Sequence, residues 1–253
     1  MPPINPLEAA VALGLLGAIT GSFIATLVVR WPAGRSVAAG RSACDGCGKP
    51  LGVAELVPLL SFALQRGRCR ACRAPIARFH PAIELAAAAI GASAGWVAPG
   101  WEGLAGATFG WLLLALGALD LAAFWLPDTL TLPLAGAGVA TLLLGLPPAS
   151  SERLIGGAAG FLLLWLVAHG YRRVRGRAGL GGGDPKLFGA IGLWLGWSML
   201  PGVLLAASLA GLGYVGWRAL VRRPVARSDA LPLGALLALA AYPAWLLMVA
   251  SRP

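Results

Sequence analysis

The four cysteines of the chain form two Cys-x-x-Cys pairs, Cys44 with Cys47 and Cys69 with Cys72, and 21 residues separate the pairs. Two such pairs can supply four thiolates to one tetrahedral zinc ion, although the gap is slightly longer than the common spacing of about 15–20 residues. Two disulfides, or thiols with unrelated roles, are the alternatives. Because four thiolates close the coordination shell of zinc, the pattern favours a structural metal ion and places catalysis elsewhere.

Three aspartates, Asp120, Asp128 and Asp184, lie at the borders of apolar stretches, where a carboxylate is costly and therefore a functional candidate. Asp120 ends a long apolar run, and we expect it near the C-terminal end of a helix, where its charge opposes the helix dipole. Asp184 follows three glycines and precedes a proline, and Asp128 follows a proline. When each residue is considered on its own, the favoured interpretation of Asp128 and Asp184 is that they cap the N-terminus of a helix.

Other catalytic groups are scarce in the sequence. The chain has two histidines, His80 and His169, and we expect both to be interfacial or packed residues. It contains no nucleophile-elbow serine motif, no zinc-protease motif and no phosphate-binding loop. Since the cysteines are assigned to a metal ion, paired aspartates are the chemistry that the sequence best supports.

The composition identifies the kind of fold that must position these residues. Of the 253 residues, 58% are hydrophobic and 12% are charged, and the mean hydropathy is +0.78. A soluble domain averages about 25% charged residues, so soluble globular, disordered and collagen-like chains are excluded. We predict an all-α polytopic membrane protein. The net charge of +10 indicates basic loops that orient the helices and meet anionic lipid, and not nucleic-acid binding.

Charged residues divide the apolar sequence into seven stretches, six of which have 17 to 23 residues, the length that crosses the hydrocarbon core as a helix. The seventh, 187–217, has 31 residues, and a turn near Pro201-Gly202 would divide it into two helices, which gives about eight transmembrane helices. Eight alternating spans put 18 of the 20 basic residues on one side and leave Arg153 and Arg252 on the other. The positive-inside rule then places both termini outside the cytoplasm.

Three regions follow from this topology. Residues 1–30 form the first transmembrane helix, which we expect to be retained because its flanking charges have the reverse polarity of a signal peptide. Residues 31–80 form a cytosolic zinc-binding segment between the first two helices. It has little apolar content, so metal ligation would supply its folding energy, and a reducing cytosol disfavours disulfides. Residues 81–253 form a helix bundle that carries the paired aspartates.

Taken together, the motifs resemble those of bacterial type IV prepilin peptidases, and the resemblance covers nearly the whole chain. The Gly-x-Gly-Asp motif alone would be weak, but its combination with two Cys-x-x-Cys pairs and a polytopic pattern is specific. The motifs, in chain order, are Gly21-Ser-Phe-Ile24, Arg30-Trp-Pro32, the two cysteine pairs, Arg66-Gly-Arg-Cys69, Pro75-Ile76, His80-Pro-Ala-Ile-Glu84, Asp120-Leu-x4-Leu-Pro-Asp128, Gly181-Gly-Gly-Asp184-Pro-Lys-Leu187 and Leu231-Pro-Leu-Gly234.

The resemblance implies a multi-pass aspartyl protease of the bacterial inner membrane, with its active site facing the cytosol. Such enzymes cleave the basic leader of type IV prepilins or pseudopilins after a glycine, and many also methylate the new N-terminal amine with S-adenosylmethionine. By motif position the catalytic pair is Asp120 and Asp184, whereas Asp128 is not catalytic. The zinc ligands are Cys44, Cys47, Cys69 and Cys72. The implied partners are prepilins and membrane lipid, without nucleic acid.

Two departures from the family pattern lie in or near the part associated with methyl transfer. Ala25 stands where the family commonly has asparagine, and Arg73 stands where glycine often follows the second cysteine pair.

The alternative function is a transporter that uses Asp120 and Asp184 as proton or cation sites. A transporter predicts an inverted repeat between the two halves of the chain, and the zinc-binding segment has no counterpart in the second half. A zinc-dependent scaffold without activity would leave Asp120 unexplained.

Overall fold

The computed structural model describes residues 4–37, 40–44, 46–177, 179–221 and 230–252. The described residues form α-helices, two 3-10 turns (Val53–Glu55 and Trp197–Met199) and no β-strand, which confirms the predicted all-helical fold. Asp45, Asp229 and three basic residues, Arg222, Arg223 and Arg227, lie outside the described residues. The helices are α1 (Pro6–Arg30), α2 (Leu60–Leu64), α3 (Phe79–Val97), α4 (Trp101–Ala123), α5 (Asp128–Leu143), α6 (Ser150–Arg175), α7 (Asp184–Leu195), α8 (Leu200–Leu220) and α9 (Leu233–Ala250).

Within the described parts of the chain, eight helices have 12 or more residues, which matches the number of helices predicted from the apolar stretches. Five segments are long and apolar enough to cross a membrane: α1, α4, α6, α9 and the span Trp197–Leu220, which contains α8. The other three, α3, α5 and α7, are shorter or less apolar. The chain is therefore a multi-pass helical protein, and the number of crossings stays a prediction.

The apolar stretch 187–217 is divided into two helices, as predicted, but the break is earlier than expected. It lies at Gly196, where φ is 75°, and not at Pro201. Glycine adopts this left-handed conformation without the steric cost that a Cβ imposes, so it ends α7. Pro201 instead lies in the first turn of α8, where a missing N–H costs nothing.

The chain separates into two compact units, Met1–Ala115 and Leu116–Pro253. In the first unit, α1 packs against α3 through glycines on both helices. A Cβ on Gly17 would collide with the carbonyl oxygen of Ala87, and a Cβ on Gly91 would collide with that of Leu13. The two backbones therefore approach closely, as is common between helices in lipid.

In the second unit, a buried cation holds the ends of two helices. Arg153 of α6 is 1% exposed, so it is not a solvated residue at the end of a span. Its guanidinium donates hydrogen bonds to the carbonyl oxygens of Leu193 (2.7 Å), Gly138 (2.7 Å) and Leu146 (3.0 Å), and to the hydroxyl of Thr141. Leu193 lies in the last turn of α7, where carbonyls lack partners within the helix, and a positive charge suits the helix dipole there. Arg153 therefore fixes α7, whose other end carries Asp184.

Candidate functional site

Asp120 lies in the last turn of α4 and is 5% exposed. Its Oδ2 accepts a hydrogen bond of 2.9 Å from the backbone N–H of Ala235, in the first turn of α9. The first N–H groups of a helix have no partner within that helix, and they form its positive end. The unfavourable position of Asp120 in α4, recognised from the sequence, is therefore offset by the N-terminus of α9.

Asp184 is the first residue of α7 and is 6% exposed. Its Oδ2 accepts a hydrogen bond of 2.9 Å from the backbone N–H of Gly181. The capping prediction is wrong here, because the cap position is occupied by Gly183 and the carboxylate binds an N–H outside the helix. Burial, together with the nearby charge of Asp120, raises the pKa of Asp184 to about 6. The side chain can therefore hold a proton near neutral pH.

The capping prediction is also wrong for Asp128. Pro127 is the cap of α5, and Asp128 is the first helical residue, without a hydrogen bond to the helix N-terminus. Its carboxylate instead pairs with the ammonium of Lys186, 2.7 Å away, and both side chains are about half exposed. A charged partner 58 residues along the chain outcompetes the local N–H groups. Asp128 thus joins the starts of α5 and α7 at the surface.

Leu126, the second leucine of the Asp120-Leu-x4-Leu-Pro-Asp128 motif, packs against the glycines next to both buried aspartates. A Cβ added to Gly183 would approach the Cβ of Leu126 to 2.6 Å, and a Cβ added to Gly234 would approach its Cδ1 to 2.7 Å. Leu126 therefore packs against the glycine that precedes Asp184 and against the start of α9. The Cβ at position 234 would also lie 3.0 Å from Oδ2 of Asp120. The glycines at both positions admit this packing.

The second unit thus brings together two buried carboxylates, each of which accepts a backbone N–H at 2.9 Å. Two neighbouring carboxylates cannot both ionise cheaply, so one of them keeps a proton. Such a pair can take a proton from water with one oxygen and donate a proton with another. The motif Leu231-Pro-Leu-Gly234, which was identified in the sequence, contains one of the glycines of this site. The contribution of Ala235 had no signal, because a backbone N–H does not depend on the side chain.

The four cysteines form a second candidate site, in the first unit. Their sulfur atoms all lie within 4.8 Å of one another, and the Sγ atoms of Cys44 and Cys72 are 3.8 Å apart. Tetrahedral zinc with Zn–S bonds of about 2.3 Å requires sulfur atoms roughly 3.8 Å apart. The predicted convergence of Cys44, Cys47, Cys69 and Cys72 is confirmed, and the cluster could hold a metal ion.

Both Cys-x-x-Cys pairs adopt the same turn. Each is enclosed by an isolated antiparallel bridge, Ala43 with Pro50 and Arg68 with Pro75. In each turn the N–H two residues after the first cysteine points at its sulfur, with an N–S distance of 3.4 Å. At Cys69, backbone N–H groups lower the pKa of the thiol to about 6. The neighbouring cysteine sulfur atoms raise the pKa of Cys72 to about 11, so a metal ion that binds all four thiolates must displace a proton there.

The departure at Arg73 has a structural consequence. The residue after the second cysteine of each turn has a positive φ, 70° at Gly48 and 62° at Arg73. The N–H of Gly48 donates to the carbonyl of Cys44, and that of Arg73 donates to the carbonyl of Cys69. The second turn therefore forces arginine into a conformation that favours glycine.

Comparisons with known proteins cover both units. The Bacterial Peptidase A24 N-terminal domain matches residues 15–98, and the Type IV leader peptidase family matches residues 107–216. A prepilin leader peptidase/N-methyltransferase of Aeromonas hydrophila is 42% identical over 203 residues, which are 80% of this chain and 70% of that protein. The protein of the same name from Pseudomonas aeruginosa is 32% identical over an alignment of 262 positions, which covers 94% of this chain and 90% of that protein. No solved structure matches the chain. The two family models match consecutive regions of the chain, and a relative that is 42% identical covers 80% of it. The chain therefore belongs to the type IV leader peptidase family.

Proposed function

We propose that this chain is a prepilin leader peptidase of the bacterial inner membrane, in which Asp120 and Asp184 form the catalytic pair. The observation that carries the proposal is the burial of both carboxylates, each held by a backbone N–H, in a chain of this family. Its substrates are type IV prepilins or pseudopilins, as the names of its relatives indicate. Membrane lipid is its other partner, and nucleic acid is not.

The mechanism follows from a shared proton. The ionised carboxylate takes a proton from a water molecule, whose oxygen attacks the scissile carbonyl carbon. The protonated partner donates its proton to the carbonyl oxygen, so that the tetrahedral intermediate is neutral at that atom. The N–H groups of Ala235 and Gly181 hold the two carboxylates in place while protons move. Collapse of the intermediate breaks the C–N bond, and the amine leaves with a proton from the pair.

Apolar side chains next to Asp120 support a helical, apolar substrate. Leu121, Phe124 and Trp125 directly follow Asp120 and are 66%, 58% and 41% exposed. A prepilin presents an apolar helix after its basic leader. Packing of that helix against these side chains would bring the cleavage position to the end of α4, where the pair lies.

The proposed topology places both termini outside the cytoplasm and residues 31–80, which follow α1, in the cytosol. The domain boundaries 1–30, 31–80 and 81–253 stay a prediction. The support is the distribution of basic residues. A reporter fused after residue 253 tests the orientation: alkaline phosphatase should be active and green fluorescent protein dark. The opposite result would contradict the eight-span count.

The metal ion we propose is zinc, with a structural role. Four thiolates leave no open coordination position, and the separation of two sulfur atoms fits zinc. Among the described residues around the cysteines, the helical elements are the short helix α2 and a 3-10 turn, so metal ligation supplies much of the stability of this segment. We also propose N-methylation of the cleaved product with S-adenosylmethionine, in line with the names of the relatives.

One experiment tests both activities. Purified protein is incubated with a type IV prepilin, with and without S-adenosylmethionine, and the products are weighed by mass spectrometry. We expect leader loss in both reactions and an additional methyl group only with the donor. Asp120→Asn and Asp184→Asn should each reduce cleavage at least 1000-fold, because neither amide can accept or share the proton. Cleavage at the wild-type rate by either variant would refute the mechanism.

A further inference from the structure

Four exposed arginines lie together around the second cysteine turn, in the first unit. They share one recess of about 380 Å³, which is lined by Leu64, Gln65, Arg66, Arg68, Arg70 and Arg73. These lining residues, all of them described, include no carboxylate. The ion pair found in the described parts of the chain joins Lys186 to Asp128, and none of the four arginines takes part in one. Four cations without a counter-charge repel one another, so their convergence indicates a surface that binds an anion.

Two of these arginines have an unfavourable backbone conformation. Arg66 has a φ of 52° and Arg73 has a φ of 62°, both in the left-handed region that favours glycine. In the first cysteine turn, the position that corresponds to Arg73 is occupied by Gly48. Both arginine side chains are exposed, so packing does not compensate for the backbone strain. Strained residues of this kind occur preferentially at functional sites, and the property that arginine adds here is its charge.

Exposed apolar side chains adjoin the arginines. Leu60 and Leu64 are 55% and 76% exposed, and because they are four residues apart they share one face of α2. Leu64 also lines the arginine recess, so the apolar and basic parts are continuous. Exposed apolar patches of this kind mark contacts with protein or membrane. We call these six residues the leucine–arginine surface: Leu60, Leu64, Arg66, Arg68, Arg70 and Arg73.

The position of this surface in the chain keeps it near lipid. It belongs to the segment between α1 and α3, and α1 is long and apolar enough to cross a membrane. A Cβ added to Gly21 would approach the Cα of Glu84 to 2.7 Å, so the later part of α1 and the first turns of α3 lie side by side. Both ends of the segment are therefore held at the same face of the membrane.

The chemistry of the leucine–arginine surface fits a phospholipid of negative charge. Guanidinium groups bind phosphate oxygens through two parallel N–H donors. Apolar side chains next to basic ones can enter the boundary between headgroups and acyl chains. A free phosphate ion would occupy the arginines but leave Leu60 and Leu64 in water. A lipid surface therefore accounts for both parts of the patch, whereas a small anion accounts for one.

We propose that the leucine–arginine surface lies on the cytosolic leaflet of the membrane and binds anionic phospholipid. The proposal rests on the topology proposed above, in which residues 31–80 are cytosolic, and it gives the lipid partner a defined site and a charge class. The two leucines enter the acyl-chain boundary, and the four guanidinium groups hold headgroup phosphates. The zinc-binding segment is then a peripheral part of the membrane surface and not a domain that is free in the cytosol.

Amide hydrogen exchange of the full-length protein in lipid nanodiscs, followed by mass spectrometry, tests the proposal without turnover. One sample contains phosphatidylcholine alone, a second also contains phosphatidylglycerol, and a third contains phosphatidylcholine with inorganic phosphate in the buffer. Since each arginine near an anionic surface strengthens binding roughly fivefold, we expect residues 60–73 to exchange at least tenfold more slowly with phosphatidylglycerol than in the other two samples. The third sample distinguishes a lipid headgroup from a free phosphate ion.

Variants test whether the named residues are responsible. The double variant Arg68→Gln, Arg70→Gln removes two charges at positions without a positive φ, and it should lose most of the slowing. Leu64→Gln keeps a good helix former but removes an apolar side chain, and it should reduce the slowing too. The double variant Arg172→Gln, Arg173→Gln removes the same charge from the exposed end of α6, and as the matched control it should behave like the wild type. Wild-type zinc content and prepilin cleavage in all three would exclude misfolding.

The outcomes separate this proposal from the function on which it rests. Equal exchange in the two lipid compositions, in a protein that cleaves prepilin, would overturn the proposal and leave the peptidase function intact. Slowing by inorganic phosphate alone would show a free-anion site, and slowing only after prepilin is added would show a protein partner; either result overturns it. If the protein failed to cleave prepilin, slowing that requires Arg68 and Arg70 would still support this surface, because exchange is measured without substrate.

Discussion

The backbone N–H of Ala235 lies 2.9 Å from Oδ2 of Asp120, although 115 residues separate them in the chain. This hydrogen bond joins the C-terminal end of α4 to the N-terminal end of α9. It gives a negative charge at an unfavourable helix end a partner at a favourable one. The hydrogen bond fixes the carboxylate in position, whereas a neighbouring cation would also hold it permanently ionised.

Removal of this N–H should impair catalysis while the helix still forms. Ala235→Pro lacks the donor, and a proline in the first turn of a helix breaks no bond within it. Since a hydrogen bond to a charged group contributes about 1.5–3 kcal/mol, we expect cleavage to fall roughly 10- to 100-fold. Leu233→Pro, two residues earlier, is the matched control and should cleave normally. Equal rates for the two variants would show that the bond to Asp120 does not matter for catalysis.

The packing of Leu126 predicts a specific rescue. Gly234→Ala places a Cβ 2.7 Å from Cδ1 of Leu126, and it should reduce cleavage at least tenfold. Leu126→Ala removes that atom, so the double variant should recover part of the loss. Gly183→Ala should not be rescued by Leu126→Ala, because its Cβ would meet the Cβ of residue 126, which alanine retains. Cleavage rates of the five variants give both coupling energies, and coupling at position 183 equal to that at 234 would contradict this geometry.

The exposed pair of Asp128 and Lys186 should contribute little. Asp128→Asn and Lys186→Gln each break the ion pair, which contributes at most about 1 kcal/mol at a half-exposed position. We therefore expect each variant to cleave within about fivefold of the wild type, in contrast to Asp184→Asn. High salt should reduce even this difference, because it screens exposed charges. A 1000-fold loss in Asp128→Asn, measured in the same cleavage assay, would make Asp128 a catalytic residue and overturn the assignment of the pair.

Some features were accessible from the sequence because they are local. Cys-x-x-Cys turns depend on a few consecutive residues, so the four thiols could be assigned from their spacing. The helices followed from the apolar stretches, although the break at Gly196 was misplaced because Pro201 can begin a helix as well as end one. The caps predicted for Asp128 and Asp184 were wrong for different reasons. Asp128 has a non-local partner 58 residues away, whereas the carboxylate of Asp184 binds the N–H of Gly181, three residues earlier and outside its own helix.

Arg73 offers a test of the metal site through its backbone. Its φ of 62° disfavours any residue except glycine by about 1 kcal/mol, and the same position in the first turn is Gly48. Arg73→Gly should therefore stabilise the metal-bound turn, with zinc held about fivefold more tightly against a competing chromogenic chelator. Gly48→Ala should weaken binding by a similar factor. Arg70→Gly removes the same charge from the same turn at a position without a positive φ, so it should not tighten binding. If Arg70→Gly and Arg73→Gly tightened zinc equally, charge and not backbone strain would be the cause.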